Sequence, residues 1–334
     1  MKKTHPPAGD ALLKGDGTMS ENALLFIHAL TGMHPGSGTA LGVVDLPVQR
    51  ERHTQWPTIP GSSLKGILRD ACREKILVEN PDLQDDHDNS GGSAKSKRSK
   101  ANEDTKLVAV FGPPYDSAHE HAGALALTDA RLLAFPVRSL KGVFAWVTCK
   151  AVLDRLSRDL SLIGRQLPGD VPAVDEHKVA CSETLLVDGK SIVLEEFDFE
   201  RTTDVGKVAD WIASHAVADD ATKGRIKSHL AVLSDCDFTH FVRHATEVVA
   251  RTGLDYETKT VKNSALFYEE YLPAETLFYS LAIAEDSRSS KEKMTAADVL
   301  HWVSKNLPPI MQIGAGQTVG KGLCAVRLDA GKGE

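Results

Sequence analysis

Hydrophobic and polar positions along the chain fall into patterns that predict both strands and helices. The apolar run ALLFIHAL at 23–30 is typical of a buried first strand. After Pro60, apolar residues recur at the spacing of an amphipathic helix, with Ser62 or Ser63 as its expected cap. The same reasoning predicts paired strands at 123–137 and 142–148, helices at 150–164, 205–233 and 294–307, and a closing strand–glycine loop–strand at 310–329.

Two further segments have the pattern of hairpins. The first is TLLVDGKSIVLEEFDF at 184–199, with Asp188 and Gly189 expected at its turn. The second is the alternating polar and β-forming stretch that begins at RTGLDYETKT and ends at LFYSLAIA, 251–284, which suggests an extended hairpin that returns to a central strand. Because strands and helices follow one another in irregular order, we predict an α+β protein with an antiparallel sheet.

Polar segments mark the edges of the expected domain. Residues 1–19 are rich in Pro and Gly and predict a disordered arm or extension, so the fold should begin near residue 20. Residues 82–105 lack aromatic side chains and segregate their charges, which predicts a mobile insertion. The remainder, 20–330, is expected to form a single domain.

Composition narrows the class of protein. The 334 residues are 42% hydrophobic, as in ordinary globular proteins. Five cysteines without a CxxC pair encode neither a zinc site nor a disulfide framework. No apolar run approaches the roughly 20 residues of a membrane span, so we expect a cytoplasmic protein with no membrane contact. The net charge of −7 argues against indiscriminate polyanion binding, although a basic groove can lie on an acidic body.

The glycine-rich stretch IGAGQTVGKGLC does not match the familiar nucleotide-binding loops. A Walker A loop needs Ser or Thr after its lysine, whereas Lys321 is followed by Gly322. A dinucleotide fingerprint opens into a helix, whereas LCAVRL reads as a strand. Glycines at 314 and 316 still allow backbone N–H groups to approach phosphates, and the alternative is a plain structural turn.

A cationic stripe follows the predicted helix start GSSLKG. Lys65, Arg69 and Arg73 recur every four residues on the face opposite to the apolar one. The positive end of the helix and these side chains together suit a phosphate backbone. The alternative is an ordinary solvated helix face.

These motifs resemble the RAMP superfamily, and within it the repeated backbone subunits of type III-B CRISPR (Cmr) effector complexes. The resemblance runs from about residue 24 to 328 and rests on HPGSGTALGVVDLPVQRERHT, IPGSSLKGILR, VFGP, GALALTDARLLAFPVRSLKGVFAWVT, ALFYEEYLPAETLF and the glycine loop. It is weakest over the N-terminal arm and over 82–105. It implies a ferredoxin-like, RRM-related palm with helical insertions and a β-hairpin thumb at about 249–266, tip near 255–262.

The resemblance also implies a function. Copies of such subunits stack in a helical filament on a CRISPR RNA, beside other Cmr subunits, each covering about six nucleotides through phosphate and sugar contacts that tolerate any base. The guide pairs with a target RNA, and the thumb interrupts that pairing so that one base is displaced at each step. The target strand is cut beside the displaced base. The expected partners are therefore CRISPR RNA, target RNA, further copies of this chain and other subunits of the complex.

The implied catalytic residue is Asp45, which matches the family's catalytic aspartate and would act as base or hold Mg²⁺ or Mn²⁺ on the RNA phosphate. Its alternative is a turn cap or an ion pair with Arg50 or Arg52. His34 is a second candidate for proton transfer, and Glu269 and Tyr271 match positions near the cleavage site or form a structural pair. The expected RNA-binding residues are Arg50, Arg52, Ser62, Ser63, Lys65, Arg69, Gly314, Gly316, Gln317 and Lys321.

Three other functions fit parts of the sequence. The chain can be a non-catalytic RNA-binding scaffold of the same complex. It can be a ribonuclease of the superfamily that processes precursor CRISPR RNA alone, which predicts cutting of repeat RNA by the isolated subunit. A small-molecule enzyme using the glycine loop predicts nucleotide binding without RNA.

Overall fold

The computed structural model describes residues 20–39, 42–83, 85 and 96–331, and at 263–265 it describes the strand but not the side chains. The predicted arm at 1–19 and most of 82–95 lie outside the described residues. The strands are β1 Glu21–Ala29, β2 Thr58–Ile59, β3 Leu125–Leu127, β4 Ala130–Ser139, β5 Val143–Cys149, β6 Lys178–Cys181, β7 Ser191–Leu194, β8 Phe197–Thr203, β9 Leu230–Leu233, β10 Glu247–Leu254, β11 Val261–Tyr271, β12 Leu277–Ala284, β13 Ile310–Gln312 and β14 Leu323–Asp329. The helices are α1 Gly61–Glu79, α2 Lys97–Ala101, α3 Thr105–Phe111, α4 Lys150–Leu162, α5 Lys207–Ala216, α6 Asp220–His229, α7 Asp235–His244 and α8 Ala296–Asn306.

The centre of the molecule is an antiparallel sheet in the order β14–β1–β12–β4. The apolar run of β1 is buried throughout, from Ala23 to Ile27, because both faces of the strand are covered. Helix α1 connects β1 to the β4 side of the sheet, and α8 connects β12 to the β13–β14 edge. The mixed α+β class expected from the sequence is therefore the observed one.

Helices α1 and α8 pack through the apolar positions that recur every three or four residues. In α1 the buried side chains are Leu64, Leu68, Cys72 and Ile76. In α8 they include Val299, Leu300 and Val303, and the helix begins at a capping box formed by Thr295 and Asp298. The Lys75 ammonium in α1 donates to the Lys305 carbonyl in α8, so the two helices touch directly.

A second part of the fold is inserted between β4 and the hairpin of β10 and β11. Strand β4 continues into β5, β9, β6, β8 and β7, and β7 pairs back with β4 at Ser139 and Leu194. The β5–β9 and β6–β8 pairs are parallel, so the sheet is mainly but not entirely antiparallel. Helices α4 to α7 accompany these strands, and the described helices include none long and apolar enough to span a bilayer.

Strands β10 and β11 form a separate two-stranded hairpin with their connection at 255–260, inside the tip range expected from the sequence. Asp255 closes the connection by accepting hydrogen bonds from the N–H groups of Glu257 and Thr258. Glu247 lies opposite Tyr271 at the base. The hairpin therefore begins and ends a few residues beyond the expected 249–266.

Two predictions in the inserted region are wrong. Strands β7 and β8 turn at Glu195 and Glu196 rather than at Asp188 and Gly189. The Asp188 carboxylate accepts from the N–H groups of Lys190 and Ser191, so it makes a local turn before β7 instead. The helix expected over 205–233 is two helices followed by β9, whose four apolar residues are all buried between neighbouring strands.

Two predictions around α1 also fail. The cap of α1 is Pro60, without a side-chain hydrogen bond, and Ser62 and Ser63 lie exposed within the first turn. The first helical residue, Gly61, has no space for a side chain, since a Cβ there would come within 2.5 Å of the Leu127 carbonyl oxygen. The part of 82–105 expected to be mobile includes an ordered piece, since α2 packs against α1 and Asp104 caps α3.

Candidate RNA interface and active site

The C-terminal end of strand β11, at the base of the β10–β11 hairpin, organises the candidate site. The Asp45 carboxylate accepts a hydrogen bond from the Tyr268 N–H at 2.7 Å. The next residue, Leu46, bridges β11 in parallel, donating to the Tyr268 carbonyl and accepting from the Glu270 N–H, each at 3.0 Å. The loop that carries Asp45 is thus attached to β11 as a short additional strand. The Asp45 carboxylate therefore anchors its loop to a backbone N–H, as in the turn cap that is the alternative to a catalytic role.

Arg50 and Arg52 do not form the expected ion pair with Asp45. Arg50 directs its guanidinium to the buried Glu270 carboxylate at 2.5 Å, and Arg52 lies on the exposed surface. Arg50 also donates to the Gln55 and Val242 carbonyls. Because its donors are already used within the protein, Arg50 has little left to offer a phosphate, whereas Arg52 remains accessible.

His34 lies beneath the same strand and is 5% exposed. Its Nδ1 is 2.6 Å from the Glu270 carbonyl oxygen, and since a carbonyl only accepts, Nδ1 carries the proton. In the neutral ring Nε2 then holds the lone pair. A side chain at Gly36 would come within 2.7 Å of that Nε2, so the loop passes very close to the ring.

Glu269 and Tyr271 point to the opposite face of β11 from Glu270, as strand alternation requires. The Tyr271 hydroxyl donates to the Glu269 carboxylate at 2.5 Å, and Arg251 on β10 donates to both groups. Burial and the hydrogen bond to Glu269 raise the pKa of Tyr271, so the phenol stays protonated as a donor. Hydrogen bonding to Tyr271 raises the pKa of Arg251 and keeps it charged.

The glycine loop lies against the His34 segment and Tyr271. Gly314 has a φ of +88°, and a Cβ there would be 2.4 Å from the His34 carbonyl oxygen, so only glycine fits. Gly316 also has a positive φ, and Gln317 begins an exposed short 3-10 turn. Lys321 places its ammonium 4.7 Å from the centre of the Tyr271 ring. The loop therefore brings a cation to the base of the β10–β11 hairpin.

A cavity of about 250 Å³ separates the start of α1 from the glycine loop, and its lining includes His34, Gly36, Ser63 and Gly314. The Gly61 N–H is occupied by the Asp129 carboxylate and that of Leu64 by the Pro60 carbonyl. Apart from Asp129, which is held on the Gly61 N–H, no acidic residue lies in the first turn of α1 itself. The cavity, the helix end and the glycine loop together suit a phosphate.

The cationic stripe on α1 is partly covered, which the sequence did not indicate. The Arg69 guanidinium donates to Asn102 beside α2, and Arg73 pairs with Asp70, which also receives Arg98. Lys65, nearest the cavity end of the helix, is half-buried, and burial followed by the charge of Arg69 lowers its pKa. Arg69 and Arg73 are therefore partly engaged within the protein, and Lys65 is the cation of the stripe nearest the cavity.

The structure thus brings together His34, Glu269, Tyr271, Lys321, Gly314 and Gly316. Asp45 lies beside β11, where its carboxylate accepts from the Tyr268 N–H. Sequence reasoning missed Arg251, Asp129 and Glu270. The adjacent residues Glu269 and Glu270 in YEEYLP are the signal that could have indicated Glu270. Neighbouring residues of a strand face opposite sides, so the two carboxylates need separate partners. Among the described residues, no group of three or more His, Cys, Asp or Glu side chains is arranged to hold a metal ion.

Comparison with known proteins shows the family to which this chain is related. A family model of the RAMP superfamily matches residues 26–325. The Pyrococcus furiosus protein named CRISPR system Cmr endoribonuclease Cmr4 is 39% identical over 308 residues, which are 91% of this chain and 95% of that protein. The crystal structure of oligomeric Cmr4 from Pyrococcus furiosus matches with a TM-score of 0.66 and 30% identity, over 92% of this chain and 98% of that one.

A more distant match is a chain in the cryo-EM structure of the type III-B Cmr-beta complex bound to cognate target RNA. Its TM-score is 0.66 at 23% identity, over 92% of this chain and 96% of that one, so it supports the fold. Together with the arrangement along β11, these matches show that the chain belongs to the Cmr4 family of the RAMP superfamily.

Proposed function

We propose that this chain is the backbone subunit of a type III-B Cmr complex and cleaves target RNA endonucleolytically. The observation that carries the proposal is the grouping of Asp45, His34, Glu269 and Tyr271 on or against β11, beside a cavity lined by a helix start and a glycine loop. The 39% identity to a protein named as a Cmr endoribonuclease supports it. A filament of copies on CRISPR RNA, with the other Cmr subunits, is part of the proposal.

We likewise infer that the central sheet is the ferredoxin-like palm of the superfamily. The chain order β1, α1, β4, β12, α8, β14 and the sheet order β14–β1–β12–β4 follow the β–α–β–β–α–β arrangement of that fold. The strands and helices from β5 to α7 are then insertions into the palm. The hairpin of β10 and β11 is the thumb.

The chemistry uses the nucleophile that RNA carries. The 2′-oxygen attacks the adjacent phosphorus, the bond from phosphorus to the 5′-oxygen breaks, and the leaving 5′-oxygen takes up a proton. Asp45 accepts the 2′-hydroxyl proton or orients that hydroxyl, and His34, which holds its proton on Nδ1 in the neutral ring, exchanges protons at Nε2. Displacement of the base next to the thumb frees the sugar for in-line attack.

Binding and charge stabilisation fall to other residues. The N–H groups at the start of α1 and of the glycine loop, with Lys65 and Lys321, hold phosphates without reading bases. A divalent ion, Mg²⁺ or Mn²⁺, fits at Asp45 only when RNA oxygens supply most of its ligands, since the described side chains offer no three-ligand cluster. When bound, it supplies positive charge to the phosphate. Asp45 keeps one oxygen on the Tyr268 N–H and presents a partly exposed carboxylate.

The test is a reconstituted complex carrying Asp45→Asn in this chain. Asparagine still accepts from the Tyr268 N–H but loses the negative charge, so the loop should keep its position. We expect the wild-type complex to cut a labelled target at intervals of about six nucleotides, and the variant to lose at least about 100-fold in rate. Guide and target binding should be unchanged.

Further arms of the same experiment separate the alternatives. Chelation of divalent ions should stop cleavage by the wild-type complex without releasing the target. An unaltered ladder of cuts with Asp45→Asn would assign cleavage to another subunit and leave this chain a scaffold. Cutting of repeat RNA by the isolated subunit would favour a role in precursor processing.

A further inference from the structure

A second glutamate on β11 holds the Asp45 loop from the side opposite to Glu269. Glu270 is 6% exposed, and its carboxylate accepts from the Val48 N–H at 2.9 Å and from the Arg50 guanidinium at 2.5 Å. Both donors lie in the segment that follows Asp45. A buried carboxylate is stable only when its oxygens are paired in this way.

Arg50 extends the network beyond the thumb base. Its other terminal nitrogen donates to the Gln55 carbonyl at 2.8 Å and to the Val242 carbonyl at 2.9 Å. Val242 lies in the last turn of α7, directly before the chain enters β10. The guanidinium therefore connects the loop after Asp45 with Glu270 on β11 and with α7, the helix that precedes β10.

The main chain of Glu270 contacts the two candidate catalytic segments. Its N–H donates to the Leu46 carbonyl, and its carbonyl accepts from the His34 ring. With its side chain on Val48, Glu270 thus contacts Leu46 and Val48, which follow Asp45, and His34 as well. A displacement of Glu270 relative to the loop would alter the position of Asp45 against β11.

We propose that Glu270 is a positioning residue for target cleavage: with Arg50 it fixes the Asp45 loop in register with the thumb strand. The inference rests on the proposed function, since it concerns the same site. Glu270 itself does not touch RNA in this role. It sets the distance between Asp45 and the strand against which the target is displaced.

The test is Glu270→Gln in the reconstituted complex. The Val48 N–H and the Arg50 guanidinium use different oxygens of the carboxylate, and in glutamine one of these becomes an NH2 group, so one of the two donors then faces another donor. We expect the single-turnover cleavage rate at saturating target to fall on the order of ten- to a hundredfold, because small displacements of a catalytic group have effects of this size. The half-saturating target concentration should change less than about twofold, since the phosphate contacts remain.

A matched variant controls for general destabilisation. Asp329→Asn breaks the comparably buried ion pair between Asp329 and Arg165, which lies at the end of β14 away from the thumb. It should lower the melting temperature to a similar degree and leave the cleavage rate unchanged. Equal losses of cleavage in both variants would make Glu270 merely structural and overturn the proposal.

Arg50→Lys provides a second variant should Glu270→Gln fail to assemble. Lysine keeps a charge for Glu270 but cannot reach both carbonyl acceptors, so cleavage should fall with target affinity retained. Wild-type cleavage by a Glu270→Gln complex of normal stability would overturn the positioning role alone. Failure of the unaltered complex to cut the target would instead overturn the proposed function.

Discussion

At the scale of residues, the candidate site depends on close approaches that leave no space for larger side chains. Gly36 passes over the His34 ring, and Gly314 passes over the His34 carbonyl oxygen. Both approaches hold His34 between its own loop and the glycine loop. The histidine was a lone loop residue in the sequence, and its burial became visible only with its neighbours.

Gly36→Ala adds only a methyl group, but this methyl group should disturb the His34 ring. The new Cβ would lie 2.7 Å from Nε2, which is shorter than van der Waals contact, so the ring or the loop must shift. We expect target cleavage by the assembled complex to fall about tenfold or more. Single-turnover cleavage is the measurement.

Gly42→Ala is the matched control in the same loop. Nothing lies within 4 Å of a Cβ at Gly42 and its φ is not in the left-handed range, so alanine should be tolerated there. We expect cleavage to stay within about twofold of the unaltered complex. Comparable losses in both variants would attribute the effect to loop stiffness instead of the His34 contact.

At the scale of elements, α1 is a core helix and the support for α2, and its start is part of the proposed phosphate site. Its apolar face was readable from spacing alone, because four-residue recurrence specifies one side of a helix. The occupation of its cationic face was not readable in this way. Asn102, which accepts from Arg69, and Arg98, which shares Asp70 with Arg73, both come from the insertion. Lys65 is the cation of the stripe nearest the cavity.

Lys65→Ala should weaken guide RNA binding evenly across spacer sequences. Loss of one phosphate contact reduces the slope of log affinity against log salt concentration by about one. The measurement is guide binding over a range of salt concentrations. A loss confined to some sequences would contradict a phosphate contact.

Lys207→Ala is the matched control for the removal of one charge. Lys207 is an exposed lysine at the start of α5, outside the proposed phosphate-binding surface. Its substitution should leave the salt slope unchanged. An equal change in both variants would mean that net charge, and not the α1 site, governs binding.

At the scale of the whole molecule, the cysteines report on the packing of the two parts of the fold. Cys72, Cys149, Cys181 and Cys324 are buried, and Cys236 is exposed. Burial raises the pKa of each of the four buried thiols. The charge of Glu176 raises the pKa of the Cys236 thiol as well.

The native chain should therefore react with a thiol reagent at Cys236 first, and the unfolded chain at all five cysteines. Because the thiolate is the reactive form and the pKa of Cys236 is raised, labelling should speed up about tenfold per pH unit below that pKa. Labelling stoichiometry by mass spectrometry is the measurement. Cys236→Ser should abolish the fast phase, and fast labelling of a second thiol would contradict the packing described.

Sequence alone determined the features that rest on local periodicity and turn chemistry. ALLFIHAL is β1, MTAADVLHWVSKNL contains α8 with its cap, and the last glycines form a loop between two strands. In each case the signal lies within a few residues of the element it predicts. The α+β class followed from the order of such elements.

Tertiary structure decided whatever depends on partners distant in sequence. The apolar run of β9 became a strand because β5 and β6 lie on either side, and position 61 needs glycine because the chain at Leu127 touches it. Arg50 pairs with Glu270, 220 residues away, instead of with nearby Asp45. Spacing along the chain indicates which face of a helix or strand a side chain occupies. Which opposite charge lies within hydrogen-bonding distance of that side chain is set only by the folded backbone.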